Sequence, residues 1–177
     1  EEKAGSVSLT SSDLELVFDG AIQTVGMRFT GITIPQGAVI TSAYVQFMVD
    51  EAQSEATSLR IYGQDADDAV GFTTASQNVS SRIRTDAFVS WSPAPWATIG
   101  AVGPDQRTPD LSAVIQEIVD RPGWAGRSLV LIVTGTGHRT AKSFEGTATG
   151  APRLHIEVAC AGARLVRRRH SNSLFVV

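Results

Sequence analysis

The sequence predicts an all-β fold, an antiparallel β-sandwich of the jelly-roll type with one short α-helix at about residues 109–120. About seven short segments in which apolar and polar residues alternate indicate strands with one buried face. The 16 glycines and 7 prolines indicate frequent turns between these segments. One stretch has the periodicity of an amphipathic helix, so the helix is an addition to the sandwich.

The length of 177 residues fits one domain with a sizeable core. We assign residues 1–158 to the β-sandwich. Residues 159–177 form a C-terminal tail that is first basic and then apolar. This tail is a linker, a flexible end or a docking segment, because an apolar, β-prone end can add a strand to a sheet edge of its own or a neighbouring molecule.

The clearest strand spans residues 40–51, and a second one follows at residues 58–65. The polar link between them suits a hairpin loop. A later run, residues 129–133, is continuously apolar, which is typical of a central strand covered on both faces. Residues 153–158 alternate again and are predicted to close the domain. The residues that share the buried face of the first strand are Ala43, Val45, Phe47 and Val49.

The helix is predicted from its start signals and its apolar spacing. The Thr108 hydroxyl can cap the N-terminus, and Pro109 suits the first helical position, where a missing N–H costs nothing. Pro122 and Gly123 end the helix. Its apolar face consists of Leu111, Val114, Ile115 and Ile118. The polar residues predicted to face water are Asp110, Gln116, Glu117 and Asp120.

Composition and charge argue against a nucleic-acid-binding protein, a disulfide-stabilised protein and a membrane-spanning helix. The net charge is −3, and four arginines lie after Val158 without an acidic residue, so residues 1–158 are more acidic than the whole chain. An acidic body argues against nucleic acid as a partner, because phosphate binding needs a positive field. The single cysteine, Cys160, excludes an internal disulfide. No apolar run reaches the roughly 18 residues that predict a membrane span.

No catalytic constellation is recognisable, and we expect a protein that is not an enzyme. A glycosidase needs two carboxyl groups at a defined separation across a cleft, and the acidic residues here lie in wet, turn-like segments. The nucleophile elbow G-x-S-x-G does not occur. The three histidines, His138, His155 and His170, lack the spacing of a metal site.

An acidic loop is the candidate metal site. Asp65, Asp67 and Asp68 follow a strand, and clustered oxygen ligands suit Ca²⁺, which binds six to eight of them. Glu145, beside a glycine turn, is a further candidate ligand for this structural calcium ion. The alternative is a solvated acidic loop. Asp50 and Glu51 fall at the other end of the predicted hairpin, away from this cluster.

Aromatic side chains are the candidate glycan contacts, because the apolar C–H face of a sugar ring stacks on an aromatic ring. We predict that Trp96, which follows a proline, is the exposed tryptophan, whereas Trp91 and Trp124 pack the helix onto the sheet. Tyr44 and Tyr62 lie on or at the end of strands, where one face of each ring can be solvated.

Five segments carry a resemblance to a known family: ITIPQGAVITSAYVQFMVDE, VSWSPAPW, TPDLSAVIQEIV, SLVLIVTGTG and SFEGTATGAPRLHIEV. On these segments, which cover roughly residues 7–158, the chain resembles jelly-roll modules of the DNRLRE type. Those modules are related to family 96 carbohydrate-binding modules and are appended to secreted bacterial and archaeal enzymes and surface proteins. The phrases QTVGMRFTGITIPQGA and HRTAKSFEG are similar to a subgroup found in large extracellular multidomain proteins.

The resemblance implies a non-catalytic, secreted module that binds a polysaccharide or cell-surface glycan, in some members with calcium. It supplies no ligand residue for this chain, and the tail lies outside it. The expected protein partners are other domains of a larger secreted protein or further copies of the chain. The alternative is a structural subunit of an extracellular or surface assembly, a fibre or a sheath, in which the tail pairs with the sheet edge of a neighbour.

Overall fold

The computed structural model describes residues 1–159 and the short strand formed by residues 174–176. It confirms an all-β sandwich of antiparallel strands with one short α-helix. In chain order the strands are β1 (Asp13–Glu15), β2 (Phe18–Asp19), β3 (Ala21–Ile22), β4 (Val25–Thr30), β5 (Ile40–Gln46), β6 (Ser58–Gln64), β7 (Arg84–Trp91), β8 (Ser128–Thr136), β9 (Thr140–Lys142), β10 (Arg153–Val158) and β11 (Leu174–Val176). Helix α1 is Ser112–Val119, and single 3₁₀ turns span Pro104–Gln106 and Ala148–Gly150.

The larger sheet has the strand order β4-β8-β6-β7. Its central strand β8 confirms the prediction from the apolar run at residues 129–133, since all five side chains are buried. Leu129, Leu131 and Val133 belong to the main core between the sheets. Val130 and Ile132 point to the other side, where the loop after β6 covers them. The outer face of this sheet is therefore covered over β8.

The second sheet is built on β5 and its extension. β10 pairs with β5, and β11 pairs with the free edge of β10, with Leu154 opposite Val176 and Ile156 opposite Leu174. Beyond β5, Val49 bridges to Ala141 of β9, which in turn pairs with β1. The residues predicted to share the inner face of this strand, namely Ala43, Val45, Phe47 and Val49, are all buried, as predicted.

The predicted hairpin between β5 and β6 is wrong, because the two strands lie in different sheets. The intervening segment crosses from one sheet to the other. On its way Gln53 forms a two-way backbone bridge to Trp96, with both N–O distances 2.8 Å. Alternation predicts the buried face of each strand but does not determine which strand it pairs with. A polar link of this length is therefore compatible with a hairpin in one sheet and with a crossover between the two sheets.

The helix begins at Ser112, three residues later than predicted, and its cap differs. Thr108 is not the cap, because its hydroxyl accepts a hydrogen bond from the backbone N–H of Val45 at 3.0 Å. Asp110 instead accepts bonds from the backbone N–H of Ser112 and, at 2.9 Å, from that of Ala43. Residues 108–111 thus run along the edge of β5 before the helix starts.

The polar face of the helix does not simply face water, contrary to the prediction. Gln116 accepts a bond from the Ile40 N–H at 2.8 Å, on the edge of β5. Glu117 accepts bonds from the N–H groups of Asp86 and Ala87, each at 2.8 Å, on the edge of β7. The helix therefore closes the open side of the sandwich by satisfying the edge strands of both sheets.

Candidate functional site

Trp96 is not the exposed sugar platform that the sequence predicted. Its side chain is 0% exposed and lies in the core beside Phe47 and Trp91. Its indole N–H donates to the carbonyl of Asp105 at 3.1 Å, which satisfies the one polar atom of the ring. The prediction that Trp91 and Trp124 pack inside is confirmed, since both are buried.

A buried arginine explains why the segment around Trp96 turns inward. The Arg139 side chain is 1% exposed, and its guanidinium donates to the carbonyls of Pro93 at 3.3 Å and Ala94 at 3.1 Å. It also donates to the Thr57 hydroxyl at 3.0 Å. The turn between the two tryptophans is therefore folded around a charged group, which the sequence pattern did not reveal.

Tyr44 is half-buried and packs against two neighbours. Its ring stacks on His155 of β10, with centroids 4.7 Å apart and planes inclined by 17°. On the other side of β5, Arg107 places its guanidinium carbon 4.1 Å from the ring centroid. Both flanking segments thus contact the ring, which gives Tyr44 a packing role.

Tyr62 is the predicted aromatic residue that the structure leaves on an open surface. It lies half-buried on the outer face of β6, directly opposite Phe88 of β7, which is 47% exposed. The two ring centroids are 5.3 Å apart. Sequence reasoning missed Phe88, although its place in an alternating strand was a usable signal.

Two arginines flank this aromatic pair. The guanidinium carbon of Arg84 lies 5.1 Å from the Tyr62 ring centroid, and that of Arg60 lies 5.4 Å from the Phe88 centroid. Arg60 is exposed and Arg84 is half-buried. We call these four residues the β6–β7 strip. It combines apolar ring faces with two permanent positive charges on adjacent strands, and the exposed Asp86 lies between Arg84 and Phe88 on the same face of β7.

The predicted calcium ligands do not converge. Asp65 and Asp67 both form ion pairs with Arg121, the latter at 2.7 Å, so the guanidinium already binds one oxygen of each carboxylate. Asp68 is exposed, and Glu145 is exposed in the turn after β9. Among the described residues, the three metal-ligating side chains that do converge are a different group, Glu15, Glu51 and His138.

That group lies where β1, the extension of β5 and the start of β9 meet. The imidazole of His138 hydrogen-bonds Glu15 through Nε2. Burial raises the pKa of the Glu15 carboxyl, an effect opposed by the bonds from His138 and Thr140. The histidines do lack the linear spacing of a metal site. In three dimensions, however, His138 lies close to Glu15 and Glu51, which are more than 80 residues away in the sequence.

A separate groove of about 370 Å³ lies between the N-terminal segment, β4 and the turn that carries Phe144. It is lined largely by apolar side chains, including Leu14, Met27 and Phe72. Arg28 and Glu145 also line the groove, so it carries charges of both signs, and it is the alternative location for a bound ligand.

No protein-family model matches the chain, and no curated protein shows significant similarity to it. The resemblance to DNRLRE-type modules therefore stays a prediction. None of the helices in residues 1–159 has the length and apolar character needed to cross a bilayer. The function must accordingly be argued from the surface chemistry of the strip and the side-chain cluster described above.

Proposed function

We propose that the chain is a non-catalytic, extracellular module that binds a polysaccharide through the β6–β7 strip. The observation that carries this proposal is the pair of the exposed Phe88 and the half-buried Tyr62, each with an arginine over its ring. Exposed aromatic rings are costly to leave in water and mark surfaces that bind a ligand. A sugar ring offers an apolar C–H face that can replace that water.

The arginines narrow the class of polysaccharide. A guanidinium binds carboxylate or sulfate through two parallel N–H···O bonds, and Arg60 projects from the sheet into solvent. The cross-strand neighbours of Arg60, Ser90 and Thr134, offer hydroxyl groups that can hydrogen-bond sugar hydroxyls. The preferred ligand of this surface is therefore a polysaccharide that carries acidic groups, such as uronic acid or sulfated sugars.

The experiment is affinity gel electrophoresis with neutral and acidic polysaccharides. The wild-type chain should be retarded by an acidic polysaccharide, and Phe88→Ala should weaken this binding about tenfold, equivalent to about 1.4 kcal/mol. Phe144→Ala is the matched control, since Phe144 is a 60% exposed phenylalanine outside the strip. Equal retardation of the wild type and the double variant Tyr62→Ala, Phe88→Ala would contradict the proposal.

A structural subunit of an extracellular assembly is the second candidate, and the pairing of β11 with β10 favours it. An apolar strand from the tail, Leu174–Val176, occupies the edge of the second sheet. The same edge can accept that strand from a neighbouring copy, which would link copies into a fibre or a sheath. Deleting residues 159–177 should then abolish self-association in light scattering. Unchanged association after the deletion would exclude this candidate.

A further inference from the structure

Three side chains that can ligate a metal converge from three segments of the chain. Glu15 ends β1, Glu51 follows the extension of β5, and His138 precedes β9. One ligand atom from each lies within 4.8 Å of the other two. The convergence is set by backbone pairing, because Glu15 lies opposite Thr140 and the Asp50 N–H donates to the Thr140 carbonyl at 2.9 Å.

A buried hydroxyl and an amide orient the two carboxylates. The Thr140 hydroxyl, on a fully buried residue, donates to Glu15 Oε2 at 2.8 Å. The Gln53 amide nitrogen donates to Glu51 Oε2 at 3.1 Å, and the amide oxygen of Gln53 accepts the Thr140 N–H at 2.6 Å. Partners of this kind hold ligands in place in metal sites and fix their geometry.

The group lacks a fixed counter-charge. In residues 1–159, the only ion-pair partner within 4.0 Å of either Glu15 or Glu51 is the His138 imidazole, which pairs with Glu15. The nearby guanidinium of Arg139 donates to backbone carbonyls and to Thr57, and it lies 3.9 Å from Glu55, which is also 3.9 Å from His138 Nδ1. The carboxylates of Glu15, which is only 15% exposed, and Glu51 thus lie within 4.8 Å of each other and of the same imidazole. A divalent cation would compensate both charges at once.

We infer that Glu15, Glu51 and His138 bind a divalent transition-metal ion, and that Zn²⁺ fits this donor set best. One imidazole nitrogen and two carboxylate oxygens match the ligands of Zn²⁺. The Thr140 hydroxyl oxygen lies 2.8 Å from Glu15 Oε2, 3.1 Å from His138 Nε2 and 3.4 Å from Glu51 Oε2, so it is a neutral oxygen next to all three ligand atoms. Ca²⁺ binds six to eight oxygens, so an imidazole nitrogen disfavours it. The exposed Glu51 gives the ion a route from solvent.

Binding needs deprotonated carboxylates and a neutral imidazole, as for any metal ligand of these types. Any proton that the ion displaces leaves to solvent. The ligands themselves stay in their oxidation states, so no other reactant is needed.

Isothermal titration calorimetry with Zn²⁺ alone tests the inference. The background is the full chain with Cys160→Ser and His170→Gln, which removes the metal-binding side chains of the tail. One ion should bind, and Glu51→Gln and His138→Gln should each weaken binding at least about 100-fold, beyond the loss typical of an outer partner. Repeating the titration in two buffers with different ionisation enthalpies measures how many protons the ion displaces.

His155→Gln is the matched control, because His155 also pairs with a glutamate, Glu157, at 3.3 Å, but lies outside the proposed site. It should leave Zn²⁺ affinity unchanged. The inference is overturned if Glu51→Gln binds Zn²⁺ as tightly as the background chain, if no binding occurs at millimolar Zn²⁺, or if Ca²⁺ binds more tightly. Glu51 is exposed, so its variant should fold even if His138→Gln does not.

Discussion

Replacing Arg139 with methionine should destabilise the protein by about 3 kcal/mol, mainly through loss of hydrogen bonds to buried acceptors. Methionine keeps the length and much of the apolar stem but carries no donor. In the wild type, burial lowers the pKa of the Arg139 guanidinium, which nonetheless stays charged because guanidinium groups do not lose their proton in proteins. The hydrogen bonds of the guanidinium offset the free-energy cost of burying its charge.

The magnitude follows from the four acceptors. Two of them, the Pro93 carbonyl and the Thr57 hydroxyl, are buried with the guanidinium. Each buried acceptor left without its donor costs about 1–3 kcal/mol, and the Thr57 hydroxyl, which also accepts the His138 N–H at 3.1 Å, falls at the lower end of this range. The carbonyls of Ala94 and His138 are nearer the surface, where water can replace the donor. The substitution also removes the desolvation cost of the buried charge. This gain offsets part of the lost hydrogen bonding and leaves a net destabilisation of about 3 kcal/mol.

Equilibrium unfolding in urea measures this loss, with tryptophan fluorescence as the signal. Trp91 and Trp96 flank the turn that Arg139 holds, so the folded baseline should change as well. Arg153→Met is the control, because Arg153 is exposed and donates to a single carbonyl. It should cost less than about 0.5 kcal/mol. A loss below about 1 kcal/mol for Arg139→Met would refute the reasoning.

Two further changes test how the helix is attached. A Cβ added at Gly63 would lie 2.6 Å from the Ile118 side chain, so Gly63→Ala should lower the free energy of unfolding by about 1–3 kcal/mol, whereas Gly71→Ala, with open space around it, should not. Burial opposes ionisation of Asp110, but hydrogen bonds from Ser112 and Ala43 hold the pKa of its carboxyl below the usual value. Asp110→Asn should therefore lower the free energy of unfolding at pH 7. This difference from the wild type should shrink as the pH falls below about 4 and disappear below the lowered pKa, which urea unfolding of both proteins over this pH range measures.

The strand faces and the helix could be predicted because burial is periodic along the chain. Residues 40–49 alternate and residues 129–133 are all apolar, and each pattern specifies which faces are covered. Strand partners could not be predicted, since the same alternating face can pair in either sheet. The helix start was predicted three residues early, because Thr108 serves the edge of β5 instead.

The candidate sites were harder to predict, because they depend on long-range contacts. Trp96 lies in a loop that the sequence predicts to be exposed, and it is held inward by long-range contacts: Arg139 binds the preceding turn, and Gln53 pairs with the Trp96 backbone. His138 contacts Glu15, which is more than 120 residues away in the sequence, and linear spacing cannot reveal this. Tyr62 lies on the outer face of β6, which alternation along the strand is sufficient to predict.

Chemical-shift mapping by NMR tests the central proposal most directly. An oligosaccharide with acidic sugars is titrated into the isotopically labelled chain, and the backbone amides that respond locate the binding surface. The proposal predicts shifts centred on Tyr62 and Phe88, which weaken as salt screens the arginines. Shifts centred on the groove beside Phe144, with the β6–β7 strip unchanged, would contradict it.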